Sequence, residues 1–175
     1  MIDTLYVCKY VTDRIATSEE LIQRQIALAL KIPTTRAIEL AAPAMARLIS
    51  GPCYLVPVPS SSGSLLQNQE LCREIVRYVP GARTLSAIER THPVESSCQR
   101  RRKGLPGLTV EAHAIARTVG PVNAWPLYFV DNVITTGNTI TACHRAMGWG
   151  RGLCYADAST RTNTGTMAKN QLSLL

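Results

Sequence analysis

The segment LYFVDNVITTGNTITACHRAM, Leu127 to Met147, constrains the fold more than any other stretch of the chain. Four apolar residues, Leu127 to Val130, run without alternation, as in a strand covered on both faces. Asp131 and Asn132 follow at the expected carboxyl edge, and the hydroxyl-rich loop Thr135–Thr139 leads into a helix whose apolar stripe would be Ile140, Cys143, Ala146 and Met147. A covered strand feeding a helix is the repeating unit of α/β proteins, in which ligands gather beyond the carboxyl ends of parallel strands.

The loop itself has the chemistry of an anion site. Backbone N–H groups at a helix N-terminus have no intrahelical partner, and the macrodipole adds roughly half a positive charge there. Gly137 lets the backbone turn tightly around an oxyanion, while the hydroxyls of Thr135, Thr136 and Thr139 add donors beside Asn138. Asp131 cannot ligate the same anion, because like charges repel. Its natural partners are sugar hydroxyls, or a cation carried by the same ligand. A phosphate cradle with a diol-binding carboxylate just upstream describes a pocket for ribose 5-phosphate. An ordinary strand, turn and capped helix would need only one Ser, Thr or Asp. A P-loop is excluded, since no G-x-x-x-x-G-K-[ST] occurs.

The rest of the chain alternates in the same way. Thr17 and Glu20 form a capping box ahead of Ile22, Ile26 and Leu30, which predicts a helix over 17–30. A second helix is expected over 35–49, with Ile38, Ala42, Met45 and Ile49 on one stripe and Gly51 beyond its end. CYLVPVP, Cys53 to Pro59, reads as a buried strand stopped by prolines, and a third helix follows over 65–78. Further short strands are expected at 84–88, 127–130 and 153–156. The expected class is therefore α/β, a central, mostly parallel sheet flanked by helices in a single domain over 1–175.

Charge narrows the partner. The 175 residues carry a formal net charge of +7, so an anionic ligand or surface is expected. No run of eighteen apolar residues and no basic-then-apolar leader occurs at the N-terminus, which together predict a cytoplasmic protein without a membrane partner. The six cysteines lie far apart, with no C-x-x-C pair and no His at zinc-ligand spacing, so reduced thiols are expected instead of a metal site. With a single Phe, the chain gives little support for a base-stacking sheet of the RNA-binding kind. His144 follows Cys143 directly, and adjacent helical residues point about 100° apart, which disfavours a nucleophilic pair. His92 is expected to be solvent-exposed, with a minor anion contact as the alternative, and His113 is given no role.

YFVDNVITTGNT resembles the phosphoribosyl-pyrophosphate (PRPP) signature of type I phosphoribosyltransferases, in which apolar residues precede two acidic residues, two apolar residues and a Thr/Ser-Thr-Gly-x-Thr phosphate loop. One position departs from it: Asn132 replaces the second acidic residue. An amide can bind a hydroxyl but carries no charge to stabilise a developing oxocarbenium-like ribose. PVPSSSGSLLQNQ resembles the family's pyrophosphate loop, which would place pyrophosphate on Ser60, Ser61 and Ser62. VPVP together with Asn68 and Gln69 resembles the competence-associated branch, although the arginines that usually follow the prolines there are absent.

The resemblance further implies a mobile basic loop closing over the ligand, and ERTHPVESSCQRRRKGLPGL, Glu89 to Leu108, occupies that place. Arg90, Arg101 and Lys103 are the expected pyrophosphate contacts, with Gly104, Pro106 and Gly107 as a far hinge; a basic cluster of this kind equally suits a solvated face or a nucleic acid. By the same resemblance the core would span about 35–158, with 1–34 and 159–175 as hood and edges. PRPP would bind with Mg²⁺, the 5-phosphate on Thr135 to Thr139 and the ribose hydroxyls on Asp131 and Asn132. Magnesium would be carried by PRPP, reached by Asp131 only through water. The implied activity is transfer of ribose 5-phosphate to a nucleobase or similar nitrogen nucleophile with release of pyrophosphate. The alternative is a regulatory or nucleic-acid-associated protein that binds PRPP or a nucleotide as an effector. Neither the acceptor base nor the assembly is named by the residues, and a homodimer is left open.

Overall fold

A computed structural model describes residues 2–11, 16–32, 35–120, 122 and 125–159. Its elements, in order, are β1 (Thr4–Lys9), α1 (Ser18–Ala29), α2 (Thr35–Ala46), β2 (Tyr54–Pro57), α3 (Leu66–Val76), β3 (Arg83–Thr84), β4 (Ile88–Arg90), α4 (Ser97–Arg102), a one-turn 3₁₀ helix (Glu111–His113), β5 (Ile115–Arg117), β6 (Leu127–Ile134), α5 (Asn138–Met147) and β7 (Arg151–Asp157). Five strands form one sheet in the order β1-β7-β6-β2-β3, every neighbouring pair parallel, and β4 and β5 form a separate antiparallel ribbon.

The apolar run of β6 places it at the centre of this sheet. Leu127, Phe129 and Val130 are buried, and successive residues feed opposite faces. Tyr128 and Val130 join Ala41, Met45, Leu71 and Ile75 in a layer beneath α1, α2 and α3. Phe129 joins Ile140, Cys143 and Met147 in a second layer beneath α5 and the ribbon. Burying each large apolar side chain contributes on the order of 1.5–3 kcal/mol, so both faces of the strand hold it in place.

Chain order then creates a crevice. From β2 the chain passes through α3 to β3 at one edge; from β6 it passes through α5 to β7 in the opposite direction. The helices that leave these adjacent strands pack on opposite faces of the sheet, α3 with one apolar layer and α5 with the other. The loops beyond β2 and β6 therefore part at the carboxyl edge, where doubly wound sheets bind ligands.

Several element boundaries differ from expectation. β6 continues four residues beyond Val130, because β7 goes on pairing with it from Asp131↔Cys154 to Ile134↔Asp157 after β2 has ended opposite Val130. Asp131 and Asn132 thus lie within the strand, on its half-unpaired end. The expected strand over 84–88 is two pieces, β3 and β4, in different sheets. The helices expected over 35–49 and 65–78 end at Ala46 and Val76. The Thr17–Glu20 capping box is present at the start of α1. Residues 4–9, in the part expected to supply hood and edges, form an edge strand of the main sheet against β7. Of the tail over 159–175, residues 160–175 lie outside the described residues. Among the described residues, no helix is long and apolar enough to cross a membrane.

Candidate functional site

The crevice begins at the carboxyl end of β2. Val58 donates its N–H to the Val130 carbonyl at 3.0 Å, the last rung joining β2 to β6. Beyond it the amides of Asn132 and Val133 turn to local side chains: Asn132 N–H donates to Asp131 Oδ1 and Val133 N–H to Asn132 Oδ1, each at 2.8 Å. Asp131 Oδ1 also accepts from Asn68 Nδ2 at 3.3 Å. Asp131 Oδ2 and Asn132 Nδ2 form no hydrogen bond among the described residues, and neither is sealed from solvent. An acceptor oxygen and a donor nitrogen are therefore left over at successive positions of this strand end.

Burial pushes the Asp131 carboxyl up from the ordinary 3.8 to about 6, against the hydrogen bonds from Asn132 and Asn68 that favour its charge. Such a displacement at a crevice marks a functional residue more often than a solvated one.

The phosphate-type loop follows. Gly137 adopts φ 77°, a left-handed conformation that costs a side-chain-bearing residue, and it caps α5 without any side-chain hydrogen bond. The first intrahelical bond runs from Thr141 N–H to the Gly137 carbonyl at 2.9 Å. The helix start thus carries amides and three threonines, Thr135, Thr136 and Thr139, of which Thr136 Oγ1 already accepts from the Asn138 N–H at 3.4 Å. The Asn138 side-chain Nδ2 donates to the Leu108 carbonyl at 2.7 Å and anchors the loop to the segment leading into the 3₁₀ turn.

On the other side, residues 60–64 form a tight turn. Ser60 N–H donates to the Ser64 carbonyl at 2.8 Å and Gly63 N–H to the Ser60 carbonyl at 3.0 Å, with Ser60 Oγ 3.0 Å from Ser62 Oγ. Ser60's amide is thereby committed to the turn. The hydroxyls of Ser60, Ser61 and Ser62 remain at the surface, half-buried or exposed.

The three expected basic contacts separate. Arg90, at the end of β4, reaches back to the serine turn, its Nε donating to the Ser60 carbonyl at 2.8 Å and its Nη2 to the Pro59 carbonyl at 3.3 Å. Its Nη1 donates to the His113 carbonyl. All three partners are neutral carbonyls, and no carboxylate pairs with Arg90 among the described residues. Burial lowers its pKa from the ordinary value, yet a guanidinium stays charged at neutral pH. A half-buried positive charge therefore stands at the crevice without a direct ion pair, and the charges of Arg90 and Asp131 act on each other through space. Lys103 instead pairs with Glu95, which also meets Arg100 at 3.5 Å. Arg101 is exposed on α4 with no ion pair among the described residues. Neither Arg101 nor Lys103 hydrogen-bonds to the serine turn or the Thr135–Thr139 loop in this conformation.

Two residues of this network carried no assigned role in the sequence reading. Asn68 lies on the buried stripe of α3 with Leu71 and Ile75, and a polar residue there was the available signal. His113 is buried, its Nδ1 3.5 Å from Thr139 Oγ1, and burial first, then the Arg90 charge, pushes its pKa down to about 4. It is a neutral imidazole wedged between the ribbon and the phosphate-type loop. Cys8, Cys53, Cys72, Cys143 and Cys154 are free and buried. Among the described residues no group of three or more His, Cys, Asp or Glu side chains could hold a metal ion. Compared with known proteins, the chain matches no protein-family model and no curated protein sequence.

Proposed function

We propose that this chain is a phosphoribosyltransferase of the type I kind, binding PRPP at the β2–β6 crevice and transferring ribose 5-phosphate to a nitrogen nucleophile. The observation that carries the reading is the sequence of groups along one strand end. Asp131 Oδ2 and Asn132 Nδ2 make no hydrogen bond among the described residues, and the N-terminus of α5, whose Gly137 cap makes no side-chain hydrogen bond, follows directly. In this reading the 5-phosphate takes the amides and hydroxyls of 135–139 and the ribose diol takes Asp131 and Asn132. The pyrophosphate lies against the turn of Ser60, Ser61 and Ser62.

The chemistry asks for positioning and charge more than for a nucleophile in the protein. The bond from C1 of the ribose to the pyrophosphate oxygen breaks with its electron pair going to pyrophosphate, and the nitrogen lone pair forms the new bond to C1. Asp131 holds the diol and, when ionised, steadies positive charge developing on the ring. The Arg90 charge favours the departing anion through space. Magnesium, brought by PRPP, supplies charge neutralisation on the leaving oxygens, and the open Asp131 Oδ2 suits a water-mediated contact with it.

A second reading keeps the same pocket but makes PRPP or a nucleotide an effector of a nucleic-acid-associated protein. Asn132, which lacks the second carboxylate, and the exposed Arg101 and Arg102 on α4 favour it. Calorimetric titration with PRPP, with and without Mg²⁺, tests both. Magnesium-dependent binding with pyrophosphate release on addition of a base supports transfer; binding without turnover supports the effector. No binding at millimolar PRPP rejects the pocket. A steep fall of affinity for single-stranded DNA with rising salt would place nucleic acid first.

A further inference from the structure

Arg90 makes an unusual use of a cation. Its guanidinium has five N–H donors in a fixed planar fork, and three go to backbone carbonyls from two separate segments, Pro59 and Ser60 on one side and His113 on the other. The Ser60 carbonyl also accepts the Gly63 N–H, so the atom that closes the serine turn is the one Arg90 holds at 2.8 Å. Val94 adds a second tie from the same arm, its N–H donating to the Ser61 carbonyl at 2.8 Å. A backbone turn of three serines and a glycine has little side-chain packing of its own to define its shape. Here the turn's own hydrogen bonds are joined by one from outside, from a residue some thirty positions along the chain.

We propose that Arg90 is a positioning residue: it sets the conformation in which Ser61 and Ser62 meet an anion, acting through the Pro59, Ser60 and His113 carbonyls and not by gripping the ligand. This rests on the reading of the serine turn as the pyrophosphate site. The geometry demands a fork, not merely a charge. A lysine ammonium is a point donor on a flexible stem and cannot span carbonyls of two segments at once.

The test compares wild type, Arg90→Lys and Arg90→Ala by calorimetry with inorganic pyrophosphate and, separately, ribose 5-phosphate. Arg90→Lys is expected to weaken pyrophosphate at least tenfold while leaving ribose 5-phosphate within twofold, and millimolar guanidinium is expected to restore pyrophosphate binding to Arg90→Ala. Full pyrophosphate affinity in Arg90→Lys overturns the proposal, since charge alone would then suffice. Equal loss of both ligands also overturns it, because the effect would not be local to the turn. Amide hydrogen exchange of ligand-free protein supplies an independent readout: Ser60 and Gly63 are expected to exchange at least tenfold faster in Arg90→Lys, and unchanged exchange rejects the positioning role. Faster exchange in a protein whose wild type binds no pyrophosphate upholds the positioning role and rejects the ligand assigned to the turn.

Discussion

Asn68 and Asp131 are joined at 3.3 Å across the crevice, and the same Asn68 amide nitrogen donates to the Val58 carbonyl at 2.7 Å. One side chain from the start of α3 therefore ties the end of β2 to the candidate ribose-binding carboxylate on β6. Because Asn68 is buried, both bonds form away from competing water.

Removing that amide while keeping its bulk isolates the tie. Asn68→Leu leaves the Val58 carbonyl short of a donor and is expected to destabilise the fold by about 1–3 kcal/mol, measured by urea unfolding. It also leaves Asp131 Oδ1 with only the Asn132 N–H, so PRPP affinity should fall by more than the fold's stability alone explains. Unchanged stability and affinity would show that the hydrogen bonds are replaced by water.

Asp131 gives a pH dependence of definite sign. Its folded pKa, about 6, lies above the ordinary 3.8, so between these values the folded chain holds a proton that the unfolded chain releases. Its stabilising contribution is full below about pH 4 and lost as pH rises through about 6. Asp131→Asn should remove this slope and gain on wild type above about pH 6, by up to about 2–3 kcal/mol. Ligand binding should show the opposite trend in wild type, strengthening over the same window as the carboxylate ionises, and should be lost in the variant. Urea midpoints and calorimetry across that range check both; parallel wild-type and variant profiles would reject a buried acid.

Gly137→Val combines two effects at one position. A β-branched residue at φ 77° is strained by roughly 1–3 kcal/mol, and its side chain occupies the mouth of α5. Ribose 5-phosphate binding is expected to vanish while circular dichroism keeps its native form. Retained binding would mean that the anion lies elsewhere.

The far edge of the sheet offers a control for stability without function. Lys9 Nζ lies 2.5 Å from Asp157 Oδ2 and fastens β1 to β7. Burial works against the Asp157 charge, but hydrogen bonds from Lys9 and Ser159 outweigh it and hold the carboxyl below its ordinary value. A depressed folded pKa stabilises above the unfolded value and is lost as pH falls through the folded one. Lys9 is 40% exposed, so Lys9→Met should cost about 1–2 kcal/mol at neutral pH, less than a sealed ion pair, and nothing at strongly acid pH. PRPP affinity should be unchanged. A cost that persists at low pH would assign the effect to the lysine's packing and its ammonium over the Tyr6 ring, 4.8 Å from the centroid, instead of the ion pair.

Local chemistry carries its message in neighbouring residues, and those parts of the protein were legible from the chain alone. Thr17 and Glu20 are three residues apart and form their capping box wherever the helix goes. Leu127 to Val130 must be covered on both faces, and the Thr-Thr-Gly-Asn-Thr run opens a helix whatever surrounds it. The edge strand β1 was missed because Thr4, Tyr6 and Cys8 form its buried side, a pattern too mixed in polarity to stand out from a loop. What only the tertiary structure decided is which distant groups meet. Asn68 reaches Asp131 across 63 residues because β2 and β6 are neighbours whose crossover helices leave to opposite faces. Arg90 meets the carbonyls of Pro59, Ser60 and His113 because the β4–β5 ribbon brings His113 alongside it. Periodicity fixes the face that each element buries, but sheet order, crossover direction and the competition among buried polar groups for partners are settled by packing of the whole chain.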